Sequence, residues 1–307
     1  MKAVYIEKHG GPEVLKYGDL PDPVAKPGEI VVDINAASVN GADWKVRAGK
    51  SYRVSEFPYV LGRDFAGVVS ALGKGVRDFE VGDPVFAVCD MGQEGAYAEK
   101  IAIGASIVAK KPGDISDIDA AALALAGLTA LVSIEDTIKL APGETILIQG
   151  GAGGVASFAV QLAKHIGARV ITTARKENHE YLRSIGADEI IDYTTTDFTE
   201  VVSNVDAVFE TVGGAVADKS FAVIRPGGRA AFIGSGPQAP SSPRSDVRSL
   251  RPDVKRDRPH LERIVELVQS GAVRAPEVTI YPLSEAIAAH EVSEGRHLRG
   301  KLVLKVR

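Results

Sequence analysis

The stretch ILIQGGAGGVASFAVQLAKHIGARVITTAR, Ile146 to Arg175, constrains this chain more than any other. An apolar run is followed by clustered glycines, an amphipathic run, another glycine and a β-branched run. That order reads as strand, tight turn, helix, strand. Its best dinucleotide-fingerprint register is Gly151-x-Gly153-x-x-Ala156. The first glycine would allow the turn, the second would let backbone approach a pyrophosphate, and the third position must be small so that helix and strand can pack. Ala156 meets that last demand. Gly151, Ala152, Gly153, Gly154 and Val155 would then cradle the pyrophosphate at the positive end of the helix. A lone GxGxxG is weak evidence, but a strand before it and a helix after it are the context it needs.

An NAD site carries Asp or Glu about 20 residues on, bonded to the ribose 2′-hydroxyl. Here the window reads Ile171-Thr172-Thr173-Ala174-Arg175-Lys176, with no carboxylate before Glu177. Arg175 and Lys176 would attract a 2′-phosphate, and Thr173 could add a hydroxyl. NADPH is therefore expected over NADH. The competing reading makes the two cations a solvated helix start.

Strands alternating with helices continue beyond this unit, which predicts a doubly wound parallel sheet. Thr211, Val212 and Gly213 in ETVGG, and Ile233, Gly234 and Ser235 in FIGSG, fall at C-terminal strand ends, where open α/β sheets place ligands. Before about residue 120 the pattern differs. Short apolar runs such as EIVVDINAASVN and DFAGVVSAL alternate with Gly/Pro turns, indicating a β-rich unit. Asp117 to Leu140 reads as helical, Pro237 to Pro259 as mostly loop, and the tail as strand, helix, strand returning to the first unit.

At 307 residues the chain is long enough for two domains, and its net charge of −4 gives no basic excess for nucleic acid. No apolar run of about 18 residues is evident, so no membrane span is expected. No apolar leader precedes the first strand, and a cytoplasmic protein is the expectation. Cys89 is the only cysteine, which excludes disulfides and four-cysteine zinc sites. The six histidines show no metal-binding spacing and read as surface or capping residues.

Two further segments carry a resemblance. Val39-Asn40-x-x-Asp43 with Arg47 and Gly49, and Gly62-x-Asp64-Phe65-Ala66-Gly67-Val68-Val69, are similar to segments of the medium-chain dehydrogenase/reductase superfamily. More narrowly, they resemble its zinc-free quinone oxidoreductase (zeta-crystallin-like) branch. Val81-Gly82-Asp83-x-Val85 and Gly300-Lys301-Leu302-Val303-Leu304 are superfamily signatures. The resemblance implies a GroES-like β-barrel catalytic domain over residues 1–120, completed by 262–307. It also implies a Rossmann NADP-binding domain over 121–261, an active site in the cleft between the two, and a homodimer. Asn40 would lie near the nicotinamide ribose or substrate carbonyl, and Tyr52 would supply a catalytic hydroxyl. Thr129 would lie near the nicotinamide and Tyr193 near the adenosine. Asp43 and Arg47 would hold a loop, as an ion pair. Trp44 would face the cleft or the core.

Zinc-using relatives carry a GHE segment whose histidine binds metal. The corresponding residues here are Gly62-Arg63-Asp64, and an arginine cannot deprotonate to become a ligand. Ser38 to Asp43 contains no thiol. Without zinc to acidify an alcohol, the expected reaction is hydride transfer from NADPH to a quinone, or alternatively to an enone or alkenal double bond. A non-catalytic NADPH-binding protein is the alternative outside enzymology.

Overall fold

A computed structural model describes residues 1–51, 54 and 56–307. It divides into two compact units. One comprises Met1–Leu125, Arg256–Glu266 and Ala275–Arg307, the other Ala126–Lys255 and Leu267–Arg274.

The first unit contains β1 (Lys2–Ile6), β2 (Lys16–Asp19), β3 (Glu29–Val39), α1 (Gly41–Arg47), β4 (Tyr59–Val60), β5 (Asp64–Leu72), β6 (Pro84–Val88), β7 (Lys100–Gly104) and β8 (Val108–Lys110). Its axis is β3, eleven residues long, in which Ile30 to Val32 and Ala36 to Val39 are buried runs and only Glu29, Asp33 and Asn35 are partly exposed. One edge of β3 pairs with β5. The other edge is shared, Glu29–Asp33 pairing with β7 and Ala36–Val39 with a strand from the far end of the chain. A small antiparallel sheet, β2-β1-β4, completes these strands.

The helix α2 (Asp117–Leu131) runs directly into a π-helical stretch, Val132–Ile138. Together they make a continuous helix of 22 residues, long and apolar enough to cross a membrane by length and composition alone. This corrects the expectation that no apolar run of about 18 residues is present. Acidic residues near both ends (Asp117, Asp119, Glu135, Asp136) conceal the length of the apolar interior. Most of the helix is buried inside the protein, as a core helix is.

The second unit follows as β9 (Thr145–Ile148), α3 (Gly154–Ile166), β10 (Arg169–Ala174), α4 (His179–Ser184), β11 (Glu189–Asp192), α5 (Phe198–Val201), β12 (Val205–Glu210), α6 (Ala215–Ser220), β13 (Ile224–Phe232) and β14 (Arg248–Leu250). All pairings are parallel, in the order β11-β10-β9-β12-β13-β14. The chain starts in the middle at β9, winds outward to β11, and returns beside β9 as β12 before winding the other way. Pro237 to Pro259 was expected as mostly loop, yet Arg248–Leu250 adds an edge strand to β13. Three residues are too few for a periodic signal.

The tail forms α7 (Arg258–Gln269), β15 (Val278–Pro282), α8 (Ala286–Glu294) and β16 (Lys301–Lys305). β16 is the strand that pairs with β3, placing Leu302 opposite Val39.

Candidate cofactor-binding turn and the buried network around Asn40

The topological switch point of the second unit lies between β9 and β12, where a parallel sheet leaves a crevice beyond its strand ends. The glycine turn leaves β9 at this crevice. Thr211, just past β12, bridges it by donating its hydroxyl to the Gln149 carbonyl at 2.8 Å. The glycines divide the work differently from the sequence reading. Gly150 takes the left-handed conformation (φ +71°), one residue earlier than expected. Gly151 is required by crowding, since a Cβ there would collide with Thr172 Oγ1. Gly153 is the helix N-cap, and a Cβ on it would meet nothing nearer than the Gly150 carbonyl oxygen at 3.5 Å. The protein's own packing leaves that glycine unexplained, whereas a ligand approaching the backbone would explain it. Ala156 is 2% exposed, as its packing role demands. Gly154, Val155 and Ala156 begin α3, where backbone N–H groups lack an acceptor one turn back. These residues fit a dinucleotide pyrophosphate.

At the end of β10, Arg175 donates from Nε to the Tyr193 hydroxyl at 3.0 Å, uniting two residues singled out separately in the sequence. Lys176 follows, exposed. Asp192 pairs in register with Ala174, but its Oδ1 accepts from the Thr194 backbone at 3.0 Å and hydroxyl at 2.6 Å. Those bonds, with His179 and Lys176 nearby, lower its pKa. Thr173 is a correction. It is buried, donates to Gln149 Oε1 at 2.7 Å and accepts the Gly150 N–H at 3.0 Å, so its hydroxyl belongs to the turn.

The strand ends after β12 and β13 meet through glycines. A Cβ on Gly234 would strike the Val212 and Gly213 backbones. Glu210 is fully buried, and its Oε1 accepts the Val212 and Gly213 N–H groups, each at 2.7 Å. Burial raises its pKa against those two bonds and the Ser235 hydroxyl. Ile233 continues the ladder by donating to the Glu210 carbonyl at 2.9 Å. Thr129 lies on α2, half-buried, its carbonyl accepting the Ser133 hydroxyl at 2.6 Å.

In the first unit, Asn40 is the N-cap of α1. Its Nδ2 donates to Asp64 at 2.7 Å and its Oδ1 accepts from Lys301 Nζ at 2.6 Å. Asp64, fully buried, also accepts from Ser38 Oγ at 2.8 Å and the Leu125 N–H at 3.0 Å. Burial raises the Asp64 pKa, with Lys301 as the largest opposing influence, and lowers that of Lys301. Asp43 accepts the Asn40 N–H at 2.8 Å, closing the first turn of α1. The expected Asp43–Arg47 ion pair is corrected. Asp43 stands 4.0 Å from Arg63 and accepts the Tyr97 hydroxyl at 2.8 Å, whereas Arg47 pairs with Glu294 at 2.8 Å. In an α-helix these two positions share a face, but different partners in the fold claim each. Burial pushes Asp43 up to about 6.

His290 corrects the surface reading of the histidines, being fully buried on α8. Arg47 donates to its Nδ1 at 3.0 Å, which leaves the proton on Nε2, 3.3 Å from the Tyr97 hydroxyl. Burial, with Arg47 beside it, holds its pKa near 3. Trp44 is buried, with Lys45, Lys50 and Arg296 over its ring. Tyr52, the expected catalytic hydroxyl, lies outside the described residues. The sequence reading missed Gly150, which stands inside the quoted glycine run, and Gln149, Tyr97 and His290, which carry no local signal. It passed over Lys301 as a mere signature residue, although a lysine at a strand start in an apolar tail was a visible cue.

Arg63, at the metal-binding position of zinc-using relatives, donates to Glu94 at 3.1 Å. Among the described residues no three His, Cys, Asp or Glu side chains converge as a metal would require.

One unit is a doubly wound parallel sheet with a dinucleotide turn and the other a β-rich unit carrying a buried polar network, the architecture of a nucleotide-binding enzyme. The comparisons make the class specific. The family of alcohol dehydrogenase GroES-like domains matches residues 26–113, and that of zinc-binding dehydrogenases residues 185–304. The NADPH-dependent alkenal/one oxidoreductase of Arabidopsis thaliana chloroplasts is 35% identical over 99% of this chain and 79% of its own. The quinone oxidoreductase of Coxiella burnetii superposes with a TM-score of 0.93 at 34% identity, over 100% of this chain and 99% of the other. A mycobacterial structure complexed with NADPH gives 0.91 at 32% identity, over 100% of both chains. The chain belongs to the medium-chain dehydrogenase/reductase superfamily, in its quinone oxidoreductase branch, and is an NAD(P)-dependent enzyme with a Rossmann-like and a GroES-like domain acting on a small molecule.

Proposed function

We propose that this enzyme is an NADPH-dependent, zinc-independent reductase whose acceptor is a quinone, working as a homodimer. The observation that carries the cofactor assignment is the contact of Arg175 with Tyr193 at 3.0 Å, with Lys176 adjacent, where an NAD site needs a carboxylate. A guanidinium and a phenol hydroxyl at the ends of two neighbouring strands, β10 and β11, suit a 2′-phosphate. The turn from Gly150 to Val155 would hold the pyrophosphate, and Thr211, Val212, Ile233, Gly234 and Ser235 the reacting half of the cofactor. When bound, NADPH supplies the hydride. The chain's residues orient the partners, with Asn40 as the neutral hydrogen-bond donor at the reacting end. Zinc independence rests on donor chemistry, because Arg63 has no lone pair to offer a metal.

An enone or alkenal acceptor is the second reading. It is favoured by the 35% identical relative that acts on alkenals and enones. Both reactions reduce an already electrophilic acceptor, so they share the cofactor site. A panel of quinones, enones and saturated aldehydes, each with NADPH and NADH, tests the proposal by absorbance at the nicotinamide band. Turnover of quinones with NADPH at a kcat/KM well above that with NADH is expected. Turnover confined to alcohols, or preference for NADH, refutes it.

A further inference from the structure

Asn40 lies between two buried opposite charges, and the fold brings them from far apart. The antiparallel register of β16 on β3 sets Leu302 opposite Val39, which carries Lys301 to Asn40 across 261 positions of sequence. Lys301 is 6% exposed and Asp64 fully buried, each at hydrogen-bond distance from one end of the amide. Flipping the amide would set its NH2 against an ammonium and its oxygen against a carboxylate, so one orientation alone is allowed. The ammonium on the oxygen and the carboxylate on one N–H also polarise the amide in the same sense. Among the described residues the second Nδ2 hydrogen has only long contacts, 3.3 Å to Ser38 Oγ and 3.4 Å to the Ser38 carbonyl.

We infer that Lys301 and Asp64 are positioning residues, which fix and polarise the Asn40 amide so that its second N–H serves as the donor to the cofactor or acceptor. This rests on the role of Asn40 in the proposed function. Both charged groups would act through the amide, which each contacts directly. Lys301 also donates to the Val39 carbonyl at 3.0 Å, which ties it to the last residue of β3, next to Asn40.

The chain has four asparagines, so selective 15N labelling gives a sparse side-chain amide spectrum. In the wild type the Asn40 NH2 pair should be rigid and protected from solvent exchange, unlike that of exposed Asn204. An Asn40 pair as mobile as that of Asn204 overturns the inference without any variant. In Lys301→Met the pair should shift and exchange faster, and in Lys301→Arg, which keeps a charged donor, it should stay nearer the wild type. Indifference to Lys301→Met also overturns it. Kinetics add the functional arm. Asn40→Ala and Lys301→Met should each lower kcat/KM by tenfold or more, and the double variant should lie within about threefold of Asn40→Ala. Multiplying losses would mean that Lys301 acts independently. Failure of the wild type to reduce any quinone or enone with NADPH sinks the functional reading, whereas the spectroscopic result judges the positioning by itself.

Discussion

Thr173 and Arg175 stand two residues apart at the end of β10 and take opposite roles. The hydroxyl is drawn inward to Gln149 and the Gly150 N–H, while the guanidinium reaches the exposed Tyr193 ring. Their sequence spacing could not separate them, because what divides them is the turn lying against one face of the strand. If Arg175 and Lys176 hold a 2′-phosphate, Arg175→Met with Lys176→Met should raise the NADPH dissociation constant by about 10- to 100-fold, since each charged hydrogen bond contributes about 1.5–3 kcal/mol before screening. NADH binding should change by less than about threefold. Fluorescence titration with both cofactors decides, and equal weakening of the two would refute the assignment. Asp43 makes a different prediction. Its folded pKa of about 6 lies above the ordinary 3.8, so the native state keeps a proton that the unfolded chain has already released. Stability from this group is therefore greatest at low pH and falls as pH rises from about 4 to about 6, by at most about 3 kcal/mol. Asp43→Asn should remove that slope. Urea unfolding of both proteins between pH 4 and 7 measures it, and parallel curves would show that Asp43 is ionised throughout.

Turn, strand and helix were legible wherever local sequence sets them. β10 and β15 span RVITTA and VTIYP, β-branched runs that fall where the strands of the glycine-turn unit and of the tail were expected. β14 was invisible, since its existence depends on β13 offering an edge. The π-helical continuation of α2 was invisible too. Its sequence still reads as helix, and packing sets the hydrogen-bond step. The glycine turn offers a test of its division of labour. Gly153→Ala adds a methyl group with 3.5 Å of clearance at ordinary backbone angles, so the thermal midpoint should barely move. NADPH and NADH binding should nevertheless weaken together by tenfold or more. Gly151→Ala should instead lower the midpoint, because its Cβ collides with Thr172 inside the protein. Calorimetry and cofactor titration of the two variants separate a ligand-facing glycine from a packing one, and a destabilised Gly153→Ala with normal affinity would reverse the assignment.

The chain passes between the two compact units at four points, of which Leu125/Ala126 lies within α2 and Glu266/Leu267 within α7. Helices that begin in one compact unit and end in the other leave no linker signal to read. Chelation tests the chemistry of the whole enzyme. Exhaustive dialysis against a strong zinc chelator, followed by assay with NADPH and a quinone, should leave kcat and KM unchanged, and activity lost then restored by zinc would refute the metal-free mechanism. The nucleotide-binding class was readable from residues 146–175 because strand, turn and helix there are contiguous, and contiguous residues state their geometry through period and glycine spacing. The cation pair at Arg175 and Lys176 was readable for the same reason. The setting of Asn40 was not. Its partners Asp64 and Lys301 lie 24 and 261 residues away, and only the pairing of β3 with β5 and β16 brings a carboxylate and an ammonium to the two ends of one amide. Local sequence carries backbone preference and hydrophobic period, but the electrostatics of a buried site are a sum over neighbours that long-range strand pairing chooses.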